Sequence, residues 1–177
     1  MVVVGENLQE LMIQHEIVDR PHCYNVTCIQ LSLGGKCVRL KPDGVHDTLT
    51  YGETLPNTCI EKFELNDDGL VLPPRSAALA SSAEKVHLPL GYMGLLQTKG
   101  SLARLCVSLH FSDGQIDPGF TGKVTFEIFN ASDFNIRIRK LQPVGNLYIF
   151  KTSTSRHDPY EGKYANADGP TIPLPFT

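Results

Sequence analysis

No apolar run in the 177 residues approaches the ~20 needed to cross a bilayer. The N-terminus also lacks the basic-then-apolar pattern of an export signal. A cytoplasmic chain with no membrane partner is expected. Cysteine is sparse and odd in number. Cys23, Cys28, Cys37, Cys59 and Cys106 show no CxxC pair, which argues against a disulfide framework and against a zinc ribbon. Basic residues are not in excess: 16 Lys and Arg face 19 Asp and Glu, for a net charge of −3. That balance argues against nucleic-acid binding, so any anion must be held by a local basic cluster. A Walker loop is missing, and so is any internal repeat.

What is present reads as short strands. The length suffices to bury about 70% of the unfolded surface in one core. One domain over 1–151 is expected, followed by a polar, Pro- and Gly-rich tail over 152–177. Leu8, Leu11 and Met12 recur at helical spacing within Glu6–Ile17, predicting a short N-terminal helix. Strands are predicted over Cys28–Leu33 and Lys36–Leu40, then a loop with a short strand over Lys41–Thr58. A hairpin is predicted around Asn66-Asp67-Asp68-Gly69, joining Phe63–Leu65 to Gly69–Leu72. Arg75–Ser82 reads as a core strand carrying Ala77, Leu79 and Ala80. A further strand is expected over Val107–Phe111, and short strands recur to Phe150. This is the pattern of a mainly β barrel or sandwich.

Three segments between Lys99 and Asn130 carry the chemistry. In Lys123–Asn130 the apolar Val124, Phe126 and Ile128 alternate with Lys123, Thr125 and Glu127, the mark of a half-buried strand. Glu127 then stands beside Thr125 and Phe129, placed for proton transfer; the same pattern fits a solvated carboxylate on an outer sheet face. Before it, Asp117-Pro118-Gly119-Phe120 is a tight-turn sequence. Asp117 could accept a sugar hydroxyl while the Phe120 ring packs the sugar, or it could cap its own turn. Upstream, Lys99, Gly100, Ser101 and Arg104 combine charge, an approachable amide and a hydroxyl, a set that suits phosphates. His110 lies near these groups; it reads first as a core or interface histidine, with a role in orienting groups at the pocket as the alternative. His15 and His22 read as structural or solvated.

KGSLAR, IDPGFTG and VTFEIFN at these spacings resemble the dCTP deaminases of the trimeric dUTPase superfamily. The family form is (Arg/Lys)-Ser-Ser-Leu-Ala-Arg, then Ile-Asp-Pro-Gly-(Trp/Phe)-x-Gly, then a strand with x-Leu-Glu-x-x-Asn. The likeness extends through Leu70–Leu96 upstream, and through Leu141–Gly145 and Tyr160–Tyr164 downstream.

The resemblance implies a distorted β-barrel, or jelly roll, assembled as a homotrimer with active sites between subunits. It implies Glu127 as general base and acid in hydrolytic deamination of dCTP. Asp117 would take the deoxyribose hydroxyl, and Phe120 would exclude a ribose. Lys99, Gly100, Ser101 and Arg104 would serve the phosphates and the pocket, with Thr125 as a further substrate contact. Tyr160 and Lys163, in a mobile tail, would close over the nucleotide. Mg²⁺ would be held by the phosphate oxygens, and dTTP is a candidate inhibitor.

A zinc nucleobase deaminase would need His-x-Glu and Pro-Cys-x-x-Cys; neither occurs in the chain, and no protein-bound metal is expected. Three departures stand out. Gly100 replaces a serine, Asp113 occupies a place near the base that is often alanine, and Ala167 replaces a glutamine in the tail. The main reading is dCTP to dUTP and ammonia. The alternatives are a dUTPase, a bifunctional enzyme forming dUMP, and a nucleotide-binding regulatory protein of the same fold.

Overall fold

The computed structural model describes residues 1–20 and 23–176; His22 lies outside them. In chain order the elements are β1 (Val2–Val3), α1 (Gly5–Gln14), β2 (Tyr24–Asn25), β3 (Cys28–Leu40), β4 (Ile60–Glu64), β5 (Leu70–Leu72) and β6 (Ala77–His87). There follow β7 (Tyr92–Thr98), α2 (Gly100–Ala103), β8 (Val107–Ser108), β9 (Gln115–Ile116), β10 (Thr121–Asn130), β11 (Ile136–Ile138) and β12 (Pro143–Lys151). The expected mainly β architecture is present as a curled, antiparallel sheet ordered β8-β10-β6-β3-β12-β7-β9, with β5 and β11 paired separately. Among the described residues no helix is long and apolar enough to cross a membrane.

Strand β3 holds the curl together. Its first half pairs with β12 and its second half with β6 and β4. The sequence predicts two strands here, broken at Gly34-Gly35. The structure shows one, because the glycines are absorbed as a bulge. Leu33 faces Ser82 and Cys37 faces Ala80, four steps on β3 against two on β6. Such a bulge bends a strand without ending it.

The core is filled from alternate strand positions. Ile29, Leu31, Leu33, Leu96, Phe126, Ile128, Leu147 and Ile149 are all buried, and each such side chain stabilises the fold by roughly 1.5–3 kcal/mol. On β6 the inward pair is Ala78 and Ala80, while Ala77 is exposed and Leu79 half-buried. The expected trio cannot share one face of a strand of period two. Helix α1 buries Leu8, Leu11 and Met12 as expected but ends at Gln14, where Glu16 takes a left-handed φ of 48°.

Three other expectations fail, the first for a tertiary reason. The Asn66–Gly69 turn forms (Gly69 N donates to Asn66 O, 3.1 Å). Its flanking strands part company, however, β4 to β3 and β5 to β11, because Leu70 and Leu72 bury themselves against Ile136 and Ile138. The 41–56 segment holds no strand, and only a 3-10 turn, Asn57–Cys59, precedes β4. Val107–Phe111 is likewise strand only at Val107–Ser108.

All five cysteines are free, four buried and Cys106 exposed. Burial, with the Glu84 carboxylate beside it, pushes the Cys23 thiol up to about 12, and burial pushes Cys37 up to about 11. Cys28 and Cys59 are also raised, chiefly by burial. Because the thiolate is the reactive form, Ellman's reagent at pH 8 is expected to titrate one thiol quickly in the native protein. After denaturation it should titrate all five. Rapid reaction of three or more native thiols would contradict this core.

Candidate active site

Two of the three segments singled out in the sequence are parts of one broad hairpin, and the third leads into it. Its second arm is β10, and its first runs from β8 through β9. The arms meet at the open end, where Phe129 pairs with Ser108 and Asn130 with Val107. Glu127 N also donates to Leu109 O at 2.9 Å. They meet again at the closed end, where Phe120 N donates to Asp117 O at 3.1 Å. Between these ends β9 turns away and pairs with Gly94 and Leu95 of β7. The arms therefore splay, with Asp117 and Phe120 at one end and Glu127 at the other, and tail residues Asn166 and Ala167 bond to β10 at Thr121 and Lys123.

Glu127 sits on the half-buried face of β10 with Thr121, Lys123, Thr125 and Phe129. Its Oε2 accepts the Phe111 amide at 2.9 Å. Among the described residues Oε1 has no hydrogen-bond partner, so one oxygen is anchored and one is available. The facing arm is pinned as well. Leu109 N donates to Thr98 Oγ1 at 2.9 Å, and Ser108 Oγ donates to His110 O at 2.7 Å.

Phe111 and Phe129 stand with ring centroids 5.6 Å apart, and Phe111 is 58% exposed. These rings beside a carboxylate suit a flat, polar heterocycle. Sequence reasoning missed Phe111, because its role lies in a backbone N–H brought across the hairpin. His110 packs at the same end and leaves a buried Nδ1 without a partner among the described residues.

At the closed end, Asp117 does not cap its own turn with its side chain. Its Oδ1 accepts from Gln115 Nε2 at 2.6 Å. Gly119 takes φ +84°, and a Cβ there would stand 2.6 Å from Pro159 Cβ; glycine permits both the turn and the approach of the tail. The tail brings Tyr160 to this end. Tyr160 N donates to Pro118 O at 3.0 Å, and its ring centroid lies 5.9 Å from that of Phe120.

The basic turn precedes the hairpin directly. Lys99 flanks the single helical turn α2, which packs at β8. Ser101 and Arg104 are exposed and Lys99 is half-buried; among the described residues neither cation forms an ion pair. At Gly100 a Cβ would stand 3.2 Å from Arg104 Nη1, so the guanidinium lies over the place where the family has a serine.

The remaining sequence-predicted residues are less convergent. Asp113 is exposed on the hairpin loop. Thr125 Oγ1 is engaged by the tail, 3.0 Å from Thr171 Oγ1 and accepting from Thr171 N at 3.0 Å. Lys163 Nζ donates to Pro175 O at 2.6 Å and lies over the Phe176 ring. Residues 152–176 hold neither strand nor helix and lie against the turn, β10 and the 41–56 loop. Among the described residues, Asp43, His46 and Cys59 form a cluster of three possible metal ligands at the two ends of the loop that precedes β4. The Asp43 carboxyl is held well below its usual range by the His46 amide, the Thr58 hydroxyl, the His46 ring and the Val45 amide.

The chain is similar to several known proteins. The family model described as dCTP deaminase-like matches residues 2–152. A "dCTP deaminase, dUMP-forming" of Nanoarchaeum equitans is 30% identical, over 97% of this chain and 96% of that protein. A protein of the same description from Corynebacterium kroppenstedtii is 38% identical over 59% of this chain and 58% of its own length. The crystal structure of 2′-deoxycytidine 5′-triphosphate deaminase from Agrobacterium tumefaciens superposes with a TM-score of 0.63. That match covers 84% of this chain and 47% of that one at 17% identity, a likeness of fold.

Proposed function

The chain belongs to the dCTP deaminase-like family, and from that premise we propose that it deaminates dCTP and carries the product on to dUMP. Relatives described as dUMP-forming favour this over release of dUTP, the first reading of the sequence. The observation that carries the chemistry is Glu127, with Oε2 fixed by the Phe111 amide and Oε1 unclaimed, at the open end of a splayed hairpin.

The cytosine ring would enter beside Phe111 and Phe129. Glu127 would take a proton from a water attacking the amino-bearing carbon. It would return protons to the ring nitrogen and the departing ammonia, so a single positioned carboxylate serves as base and then acid. Asp117 would accept the 3′-hydroxyl, and the Phe120 ring would pack the deoxyribose, leaving no room for a 2′-hydroxyl. Lys99, Ser101, Arg104 and the Gly100 amide would hold phosphates, with Tyr160 and Lys163 closing from the tail. A second water attacking the α-phosphorus then yields dUMP and pyrophosphate.

Mg²⁺ fits as a passenger of the triphosphate. Lys99–Arg104 contains no carboxylate to claim it, and Mg²⁺ favours phosphate oxygens and water; when bound it would neutralise phosphate charge. Exposed Ser101 and Arg104 suit a homotrimer in which a neighbouring subunit completes each site. dTTP, which shares the sugar and phosphates, would compete for it.

Incubation with dCTP and Mg²⁺, reading ammonia and pyrophosphate separately, tests the reading. Equal amounts of both are expected. Ammonia alone would return the assignment to a dUTP-forming deaminase, and neither product would leave a binding protein.

A further inference from the structure

A second basic cleft lies outside the hairpin. Arg20, Lys36, Lys123 and Lys140 line a cavity of about 240 Å³ whose one acidic lining residue is Glu64. The four cations come from four distant parts of the chain. The bulge in β3 throws Gly34–Lys36 out of the ladder with β6. Lys140 lies flat across Gly35, where a Cβ would stand 3.1 Å from its Cε and 3.2 Å from its Nζ. Lys123 comes from β10, and Arg20 from the segment after α1. In a chain of net charge −3, so many like charges around one small cavity repel unless an anion lies among them.

An anion of the chain's own pairs with two of the four. Asp168 of the tail reaches Lys36 Nζ at 3.1 Å and Lys123 Nζ at 3.0 Å. Its side chain is 78% exposed while that of Lys123 is 27% exposed, so the carboxylate covers the cleft from outside. Lys140 and Arg20 make no ion pair among the described residues and have charge left for a ligand. The same stretch of tail is held on β10 by few bonds. Asn166 N donates to Thr121 O at 2.6 Å, Lys123 N to Ala167 O at 2.8 Å, and Thr171 N to Thr125 Oγ1 at 3.0 Å.

We infer that this cleft is a binding site for a small polyphosphate anion, of the size of pyrophosphate, which competes with Asp168 and loosens segment 166–171 from β10. The cavity is smaller than the roughly 300–1,000 Å³ typical of pockets for whole organic ligands, which favours the inorganic anion over a nucleotide. Lysines serve phosphates as mobile point charges, and three of the four cations here are lysines. The cleft would bind this anion whatever reaction Glu127 carries out. Only the consequence, that a product of dUMP formation would free the tail, rests on the proposed reaction.

Calorimetric titration of the full chain with sodium pyrophosphate tests binding without any turnover. Lys140→Ala and Arg20→Ala are each expected to weaken it by about tenfold or more, as loss of a charge-assisted hydrogen bond does. Lys140→Gln, which keeps the side-chain length, should behave like Lys140→Ala. Asp168→Asn, which removes the internal competitor, should tighten binding about threefold. Arg104→Ala should weaken dCTP and any pyrophosphate held at the nucleotide's own phosphate site, while the binding event that Lys140→Ala weakens persists, which separates the two sites. Pyrophosphate should also speed hydrogen exchange at the Asn166 and Thr171 amides. Absence of binding, or binding lost in Arg104→Ala and kept in Lys140→Ala, would overturn the site. Binding with no effect of Asp168→Asn and unaltered exchange would overturn the competition.

Discussion

Glu127→Gln is expected to lower ammonia release from dCTP by about 10²–10⁴-fold, the usual contribution of a positioned general acid–base group. The substitution is close to isosteric. A glutamine carbonyl can still accept the Phe111 amide that now meets Oε2 at 2.9 Å, so the hairpin should keep its shape. Calorimetry with dCTP and Mg²⁺ should therefore show affinity within a few-fold of the parent. Pyrophosphate released from dCTP should fall together with ammonia, while pyrophosphate released from added dUTP persists. Ammonia release at the parent rate would sink the role given to Glu127. Loss of binding along with activity would instead mean that the carboxylate holds the nucleotide.

The largest effect on stability is expected from Asn130→Ala. Asn130 is fully buried at the end of β10. Its Nδ2 donates to Leu72 O at 3.0 Å, Pro73 O at 3.0 Å and Phe134 O at 2.7 Å. Its Oδ1 accepts from Ser132 N at 3.0 Å and Ser132 Oγ at 2.7 Å. One amide thus ties β10 to the end of β5 and shapes the turn toward β11. Alanine would take one donor from each of three carbonyls and leave the Ser132 amide without its acceptor, although Ser76 Oγ still reaches Pro73 O and Ser132 Oγ still reaches Phe134 O. At about 0.5–1.5 kcal/mol per bond, and more for buried orphans, the loss is on the order of 3–5 kcal/mol. For a chain of this size that corresponds to a fall in Tm of about 6–20 °C, readable by calorimetry or circular dichroism. A shift below ~2 °C would mean that water replaces the amide and that the turn does not depend on it. Asn130 is the asparagine of the x-Leu-Glu-x-x-Asn pattern, so one short motif carries the proposed base, Glu127, and a structural residue three positions apart.

Much of this was legible in the chain. The alternation of Val124, Phe126 and Ile128 with Thr125 and Glu127 placed the carboxylate on the half-buried face of β10, because side chains in a strand alternate strictly. The Asp117–Phe120 turn followed from residues that favour it locally. Helix α1 and the mainly β class followed from period alone. The errors fell where the period is right but the partner is undetermined. Leu70 and Leu72 read as half of a hairpin and instead pair with β11. Gly34-Gly35 read as a break and instead make a bulge.

The sequence by itself therefore determined the family, the mainly β class and the chemical types placed along the hairpin, since these are set by local spacing and side-chain period. Tertiary structure alone decided that β9 leaves β10 for β7 and splays the hairpin. It also put the Phe111 amide on Glu127 and brought Arg20, Lys36, Lys123 and Lys140 to one cleft beneath Asp168. These juxtapositions join residues far apart along the chain, or backbone groups with no side-chain signature. They depend on strand register and on one bulge, which emerge only when the whole sheet has closed.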